Sequence, residues 1–85
     1  MIKVVAQTLR DMGCEIHKEE AVFNISPLSL VGTIYRLLFF VGPNKDIPKY
    51  VAYMDCSNIG PVELVARFYT AIKKEEAKYA STSNH

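Results

Sequence analysis

Apolar residues recur at helical spacing near the start of the chain. They occupy positions 2, 5, 6, 9 and 12, polar residues lie between most of them, and Gly13 follows. This spacing puts the apolar side chains on one face of a helix over residues 2–12. Glycine readily takes the left-handed conformation with which many helices end, so Gly13 is expected to terminate this helix.

A second amphipathic helix is predicted over residues 61–79. Pro61 suits the first helical position, and Glu63 lies in the first turn, where a carboxylate interacts favourably with the helix dipole. At 1.5 Å per residue this helix would be about 28 Å long. Its apolar stripe consists of Leu64, Val65, Phe68, Tyr69, Ile72 and Tyr79.

Four short runs between the helices have the composition of strands. The first two, 14–18 and 21–25, flank Glu19-Glu20 and are predicted to form a hairpin. The third, 33–41, is rich in β-branched and aromatic residues, and a loop extended by Pro48 precedes the fourth, 50–56. The predicted order is α-β-β-β-β-α, an α+β two-layer sandwich with both helices on one face of an antiparallel sheet.

Charged residues indicate which face of this sheet lies away from the helices. Burying an unpaired charge is costly, so Arg36 in the third strand, and Lys49 and Asp55 in the fourth, are expected on the outer face. With the residues that alternate with them, the predicted outer face consists of Val22, Arg36, Leu38, Phe40, Lys49, Val51, Tyr53 and Asp55.

Several large apolar residues on one exposed face predict a docking surface for a protein partner or for a second copy of the chain. Two alternatives stay open. The C-terminal tail or the 42–49 loop could cover this face, and a shift of one residue in a strand would reverse its assignment.

Composition bounds the class of protein. The chain has 85 residues, of which 49% are hydrophobic, and a formal net charge of +1. These values predict one small globular domain over residues 1–80 and a disordered tail over 81–85, and they argue against a dedicated nucleic-acid binder. No apolar run is long enough to span a membrane and no secretory signal is present, so a cytoplasmic location with Cys14 and Cys56 reduced is expected.

The search for catalytic residues gives little. His17 is the only histidine before the final residue, and Cys14, three positions away on an extended segment, would point to the opposite face. The carboxylate pairs at 19–20 and 75–76 have the character of solvated surface residues, and no metal-ligand or phosphate-loop spacing occurs. We therefore expect a protein that is not an enzyme and that holds no metal or cofactor.

An alternative of a different class is binding to anionic lipid or nucleic acid through the two helices. Such binding would weaken steeply as salt is added. Acidic residues within the 73–78 segment favour a solvated helix end instead. The cations that would carry anionic-surface binding are Lys3, Arg10, Lys73, Lys74 and Lys78.

Residues 2–14, 21–25, 50–55 and the helix around 66–69 carry a resemblance that covers residues 2–76. These segments resemble the first helix, second strand, last strand and last helix of the kinase-associated domain found at the C-termini of AMP-activated and microtubule-regulating kinase relatives. The resemblance implies a non-catalytic regulatory module that docks on a kinase domain, a regulatory subunit or anionic lipid. An independently encoded viral or phage inhibitor of a host complex is the alternative.

Overall fold

Two helices and three strands make up the described part of the chain, which in this computed structural model is residues 1–24, 32–55 and 59–82. At positions 24, 55 and 80–82 only the backbone is described. The strands form one antiparallel sheet in the order β1-β2-β3, which confirms the α+β class. The elements in chain order are α1 (Ile2–Asp11), β1 (Lys18–Asn24), β2 (Gly32–Val41), β3 (Ile47–Asp55) and α2 (Pro61–Thr82).

Helix α1 ends at the predicted glycine. Gly13 has a φ of 96°, in the left-handed region. Its N–H donates to the carbonyl of Arg10 at 3.0 Å, and the N–H of Cys14 donates to the carbonyl of Leu9 at 2.9 Å. These two bonds form a Schellman motif, which satisfies carbonyls that the last turn would otherwise leave unpaired.

The predicted hairpin around Glu19-Glu20 is wrong. Residues 14–17 have no regular structure, and both glutamates lie inside β1. Glu19 accepts a hydrogen bond from Arg10 of α1 at 3.0 Å, whereas Glu20 pairs with Arg36 of the neighbouring strand. Each carboxylate is thus paired with a cation on its own face of the strand. The two glutamates can therefore lie within a strand and do not need the solvent exposure of a turn. The described residues therefore hold three strands in place of the expected four.

The hairpin between β2 and β3 is tighter than expected. Val41 pairs with Ile47, so the loop comprises five residues, 42–46, and β3 begins three residues before the predicted start. Gly42 opens the loop with a φ of 102°. Pro48 lies within β3, opposite Phe40. Proline is tolerated there because β3 lies at the edge of the sheet formed by the described strands, where its nitrogen can face away from the ladder.

The core lies between the helices and one face of the sheet. Alternate residues of β2 are buried there together with most of the predicted α1 stripe and with Leu64, Phe68 and Ile72 of α2, whereas Met12 lies beyond the end of α1 and is 47% exposed. Helix α2 continues to Thr82, so positions 81 and 82, expected in a disordered tail, are helical. Ile25, Cys56 and residues 83–85 lie outside the described residues. The buried cluster consists of Ile2, Val5, Ala6, Leu9, Cys14, Ile16, Tyr35, Leu37, Phe39, Val41, Leu64, Phe68 and Ile72.

Candidate functional site

The face of the sheet opposite the helices can be assigned from the strand register. Residues that pair directly across antiparallel strands share a face, so each pair fixes the side of both members. We call the resulting surface the outer sheet face. It consists of Lys18, Glu20 and Val22 of β1, Ile34, Arg36, Leu38 and Phe40 of β2, and Pro48, Tyr50, Ala52 and Met54 of β3.

These residues form rows that run across the strands. One row is entirely apolar and consists of Val22, Ile34 and Met54. A second apolar area, nearer the hairpin loop, is formed by Leu38, Phe40, Pro48 and Tyr50. Large apolar side chains in both areas are open to solvent, with Val22 at 52%, Met54 at 40% and Tyr50 at 59% exposure. Exposed apolar groups concentrated on one face are typical of an interaction surface.

A polar row separates the two apolar areas. Glu20 accepts a hydrogen bond from Nε of Arg36 at 2.7 Å and pairs with Nζ of Lys18 at 2.9 Å. The hydrogen bonds from Lys18 and from Arg36 lower the pKa of Glu20 below its ordinary value. The guanidinium of Arg36 lies 5.1 Å from the centre of the Tyr50 ring. Because Glu20 neutralises part of this positive charge, the row does not form a strong site for anions.

Four of the predicted outer-face residues are in place. Val22, Arg36, Leu38 and Phe40 all lie on the outer sheet face. The alternation read from β2 is confirmed, since Tyr35, Leu37, Phe39 and Val41, which have the opposite parity, are buried.

The predicted face of β3 is reversed. Val51 pairs with Leu37 and Tyr53 with Tyr35, so both lie on the side of the helices. Both also pack against the buried core. Lys49 pairs with Phe39, and position 55 pairs with Thr33, which puts these two residues on the same inner side.

The charged residues of β3 do not mark its outer face, because they stand near the ends of the strand. Lys49 reaches past the core on its long aliphatic stem, and its ammonium lies 5.5 Å from the centre of the Tyr79 ring of α2. A hydrogen bond with Tyr79 raises the pKa of Lys49. Between the charges, the Tyr53 ring meets the Phe68 ring edge-on at 5.4 Å.

Tyr50, Ala52 and Met54, which the predicted alternation of this strand places on the side of the helices, lie instead on the outer sheet face. The signal that locates them is the length of the hairpin loop. Because the loop has five residues, Val41 pairs with Ile47. Positions 49, 51 and 53 then pair with inward-facing residues of β2 and lie on the same inner side of the sheet. The predicted loop, which extended from the end of the third strand at 41 to the start of the fourth at 50, did not determine which residues of the fourth strand face inward.

The five cations proposed for anionic surfaces are largely neutralised. Arg10 contacts Glu19 at 3.0 Å, Lys73 contacts Glu76 at 3.3 Å and Lys78 contacts Glu75 at 3.3 Å. Lys3 and Lys74 are exposed. Acidic residues lie among these cations and neutralise part of their charge. The helices therefore give less support to binding of anionic lipid or nucleic acid than the cations alone would.

His17 and Cys14 lie in different environments. His17 is exposed, and its ring meets the Phe40 ring edge-on at 5.3 Å, beside the outer sheet face. Cys14 is buried in the core, and this burial raises the pKa of its thiol, which disfavours the reactive thiolate. Within the described ranges, no three histidine, cysteine, aspartate or glutamate side chains are grouped so that they could hold a metal ion.

A smaller apolar groove lies on the helical side of the molecule, between α1 and the start of α2. Val62, on its rim, is 83% exposed. The groove is lined by Val4, Thr8, Pro61, Val62 and Val65. It offers short aliphatic side chains without an aromatic residue, whereas the outer sheet face has both Phe40 and Tyr50.

Comparisons with protein-family models, with curated proteins and with solved structures find no match to this chain. The resemblance to the kinase-associated domain therefore stays a prediction. Of the two described helices, neither is long and apolar enough to cross a membrane.

Proposed function

We propose that this protein is a non-enzymatic binding domain that docks a protein partner on its outer sheet face. The observation that carries the proposal is the exposure of large apolar side chains on the face opposite the helices. Val22, Tyr50 and Met54 are each at least 40% exposed there. In protein interfaces, buried aromatic side chains contribute most of the binding energy, and Phe40 and Tyr50 are the aromatic residues of this face.

The arrangement suits a partner that contacts both apolar areas. Two hydrophobic contacts on either side of a polar row resemble the composition of protein interfaces, where apolar contacts are combined with hydrogen-bonded polar groups. The Glu20–Arg36 pair would supply those polar groups. Only the sequence resemblance suggests a regulatory role on a kinase complex. The proposal that the outer sheet face docks a partner does not depend on that role.

The proposal is tested by replacing residues of the outer sheet face and measuring partner capture. Immobilised wild-type protein is compared with Phe40→Lys and Tyr50→Lys in a quantitative capture from cell extract, with each bound protein identified by mass spectrometry. We expect a specific partner that wild type retains and that both variants lose. Circular-dichroism melts establish whether each variant is folded.

Val62→Lys is the matched control, because it adds the same charge at a residue exposed in the helical groove. It should retain the partner. A partner kept by folded Phe40→Lys and Tyr50→Lys but lost by Val62→Lys would refute the proposal and move the binding site to the groove.

A further inference from the structure

The outer sheet face continues past the start of β1 through a β-bulge. The N–H of His17 donates to the carbonyl of Leu38 at 2.8 Å, although Lys18 is the residue that pairs with Leu38. Two residues therefore oppose one, which is the arrangement of a bulge, and a bulge redirects the side chains beside it. Here the His17 ring meets the ring of Phe40, a residue of the outer sheet face, edge-on at 5.3 Å.

The segment that leads into this bulge adds a carboxylate to the same side. Cys14 and Ile16 are buried, whereas Glu15 and His17 are exposed. This alternation puts Glu15 on the side of His17 and Phe40. These three residues and Ile16 line a cleft at the border of the outer sheet face.

The carboxylate of Glu15 brings an uncompensated negative charge to the cleft. Within the described residues, Glu15 and Asp46 are the acidic side chains that have neither a hydrogen bond nor an ion pair. Lys18 is close to Glu15 in the chain, but its Nζ lies 2.9 Å from the carboxylate of Glu20. The cleft therefore has room for a cation from outside the chain.

The size and chemistry of the cleft fit one basic side chain. Its volume is about 230 Å³, below the roughly 300–1,000 Å³ of sites for drug-sized ligands. The Phe40 ring offers an apolar wall to the methylene stem of a lysine or arginine, and Glu15 offers an opposite charge to the head. We propose that this cleft receives a lysine or arginine side chain of the protein partner, an inference that rests on the docking function proposed above.

Phe40 connects the cleft to the docking surface. It belongs to the apolar area nearer the hairpin loop, which also contains Pro48 and Tyr50. A partner that covers this area also reaches the cleft and removes Glu15 from water. A carboxylate loses free energy on leaving water unless a cation or a hydrogen-bond donor replaces its hydration. A partner with a basic residue at this position is therefore favoured, and a partner with an acidic one is repelled.

The first test selects random peptides displayed on phage for binding to the immobilised full chain. Parallel selections on Tyr50→Lys, a change outside the cleft, identify the peptides that need the outer sheet face. Among those peptides we expect lysine or arginine to be enriched at one fixed position. The enrichment should be lost on Glu15→Gln and should change to aspartate or glutamate on Glu15→Lys.

Asp46→Asn is the matched control. It removes one negative charge from the other exposed carboxylate that has no ion pair in the described part of the chain, and it lies outside the cleft lining. It should keep the enrichment of basic residues. Circular-dichroism melts of all variants should match wild type, because Glu15, Asp46 and Tyr50 are exposed.

The second test measures the affinity of one selected peptide by fluorescence anisotropy, with its basic residue present or replaced by glutamine. Glu15→Gln should raise the Kd of the basic peptide about two- to fivefold, the range of a solvent-exposed ion pair. It should leave the Kd of the glutamine peptide unchanged. Added salt should reduce the difference between wild type and Glu15→Gln, because salt screens the pair.

The outcomes separate this inference from the docking function. Peptides that need Tyr50 but prefer no basic residue, or that keep this preference on Glu15→Gln, would overturn the inference and leave the docking function in place. If no selected peptide needs Tyr50, the docking function fails and the inference fails with it.

Discussion

Tyr50 and Tyr53 lie three residues apart in β3 but on opposite faces of the sheet, and truncating each one tests the face assignment. Tyr53 is half-buried, contacts the Phe68 ring at 5.4 Å and has the Arg67 guanidinium 5.6 Å from its ring centre. Tyr50 is 59% exposed, and its ring contact is with Arg36. The same substitution in the same strand thus removes a core contact in one case and a surface contact in the other.

The expected magnitudes differ clearly. Truncating a fully buried aromatic side chain to alanine costs about 3–5 kcal/mol, so for half-buried Tyr53 we expect a loss of about 2–3 kcal/mol in the free energy of unfolding. Tyr50→Ala removes an exposed cation–π contact and should cost about 0.5–1 kcal/mol. The difference of about 2 kcal/mol corresponds to a gap of about 8–16 °C in Tm for a domain of this size.

The assay is urea unfolding of wild type, Tyr50→Ala and Tyr53→Ala, followed by circular dichroism. Equal slopes against urea would show that all three unfold from the same fold, so that midpoints report stability. If Tyr50→Ala destabilised the protein as much as Tyr53→Ala or more, the reasoning would be refuted. Tyr50 would then belong to the core, and the outer sheet face would have to be redrawn with Val51 and Tyr53 on it.

Two further substitutions test how α1 is held. Gly13→Ala should lower the free energy of unfolding by about 1–2 kcal/mol from left-handed strain alone, since no heavy atom lies within 4 Å of the added Cβ. Gly13→Asn should lower the free energy of unfolding by less than Gly13→Ala in the same urea titration. Equal stability of Gly13→Ala and wild type would contradict a left-handed Gly13 at the end of α1. The hydrogen bond from Arg10 holds the pKa of Glu19 below its ordinary 4.5, so this ion pair stabilises the fold above pH 4.5 and is lost as the pH falls through the lower, folded-state pKa. Glu19→Gln should therefore flatten the fall in stability on acidification, and an unchanged slope would count against the pair.

The parts of the fold that could be predicted are those set by local chemistry. The stop of α1 depends on one glycine and its immediate neighbours, and the start of α2 at Pro61 depends on a residue that favours the first turn. The inward face of β2 was clear because a single arginine interrupts an otherwise uncharged strand. Each of these signals lies within a few residues of the feature that it predicts.

The parts that could not be predicted depend on contacts between distant residues. Glu19 and Glu20 have the composition of a turn, but Arg10 and Arg36 pair with them from opposite sides and keep them in a strand. The face of β3 depends on the register of a hairpin and on Tyr79, thirty positions after Lys49 in the chain. Of the eight residues predicted for the candidate site, the four in β1 and β2 therefore lie on the outer sheet face, and the four in β3 lie on the opposite side.

The Glu20–Arg36 ion pair in the middle of the outer sheet face would make the proposed docking selective. A surface that covers the pair removes both charges from water, and their mutual attraction repays this loss only with good geometry and further hydrogen bonds. Under the proposed docking function, a featureless hydrophobic surface would offer no such bonds and would bind this face poorly, whereas a surface with a polar group in register with the row would keep the pair hydrogen-bonded. The proposal thus assigns the ion pair a second role, that of disfavouring indiscriminate adhesion at the exposed apolar side chains.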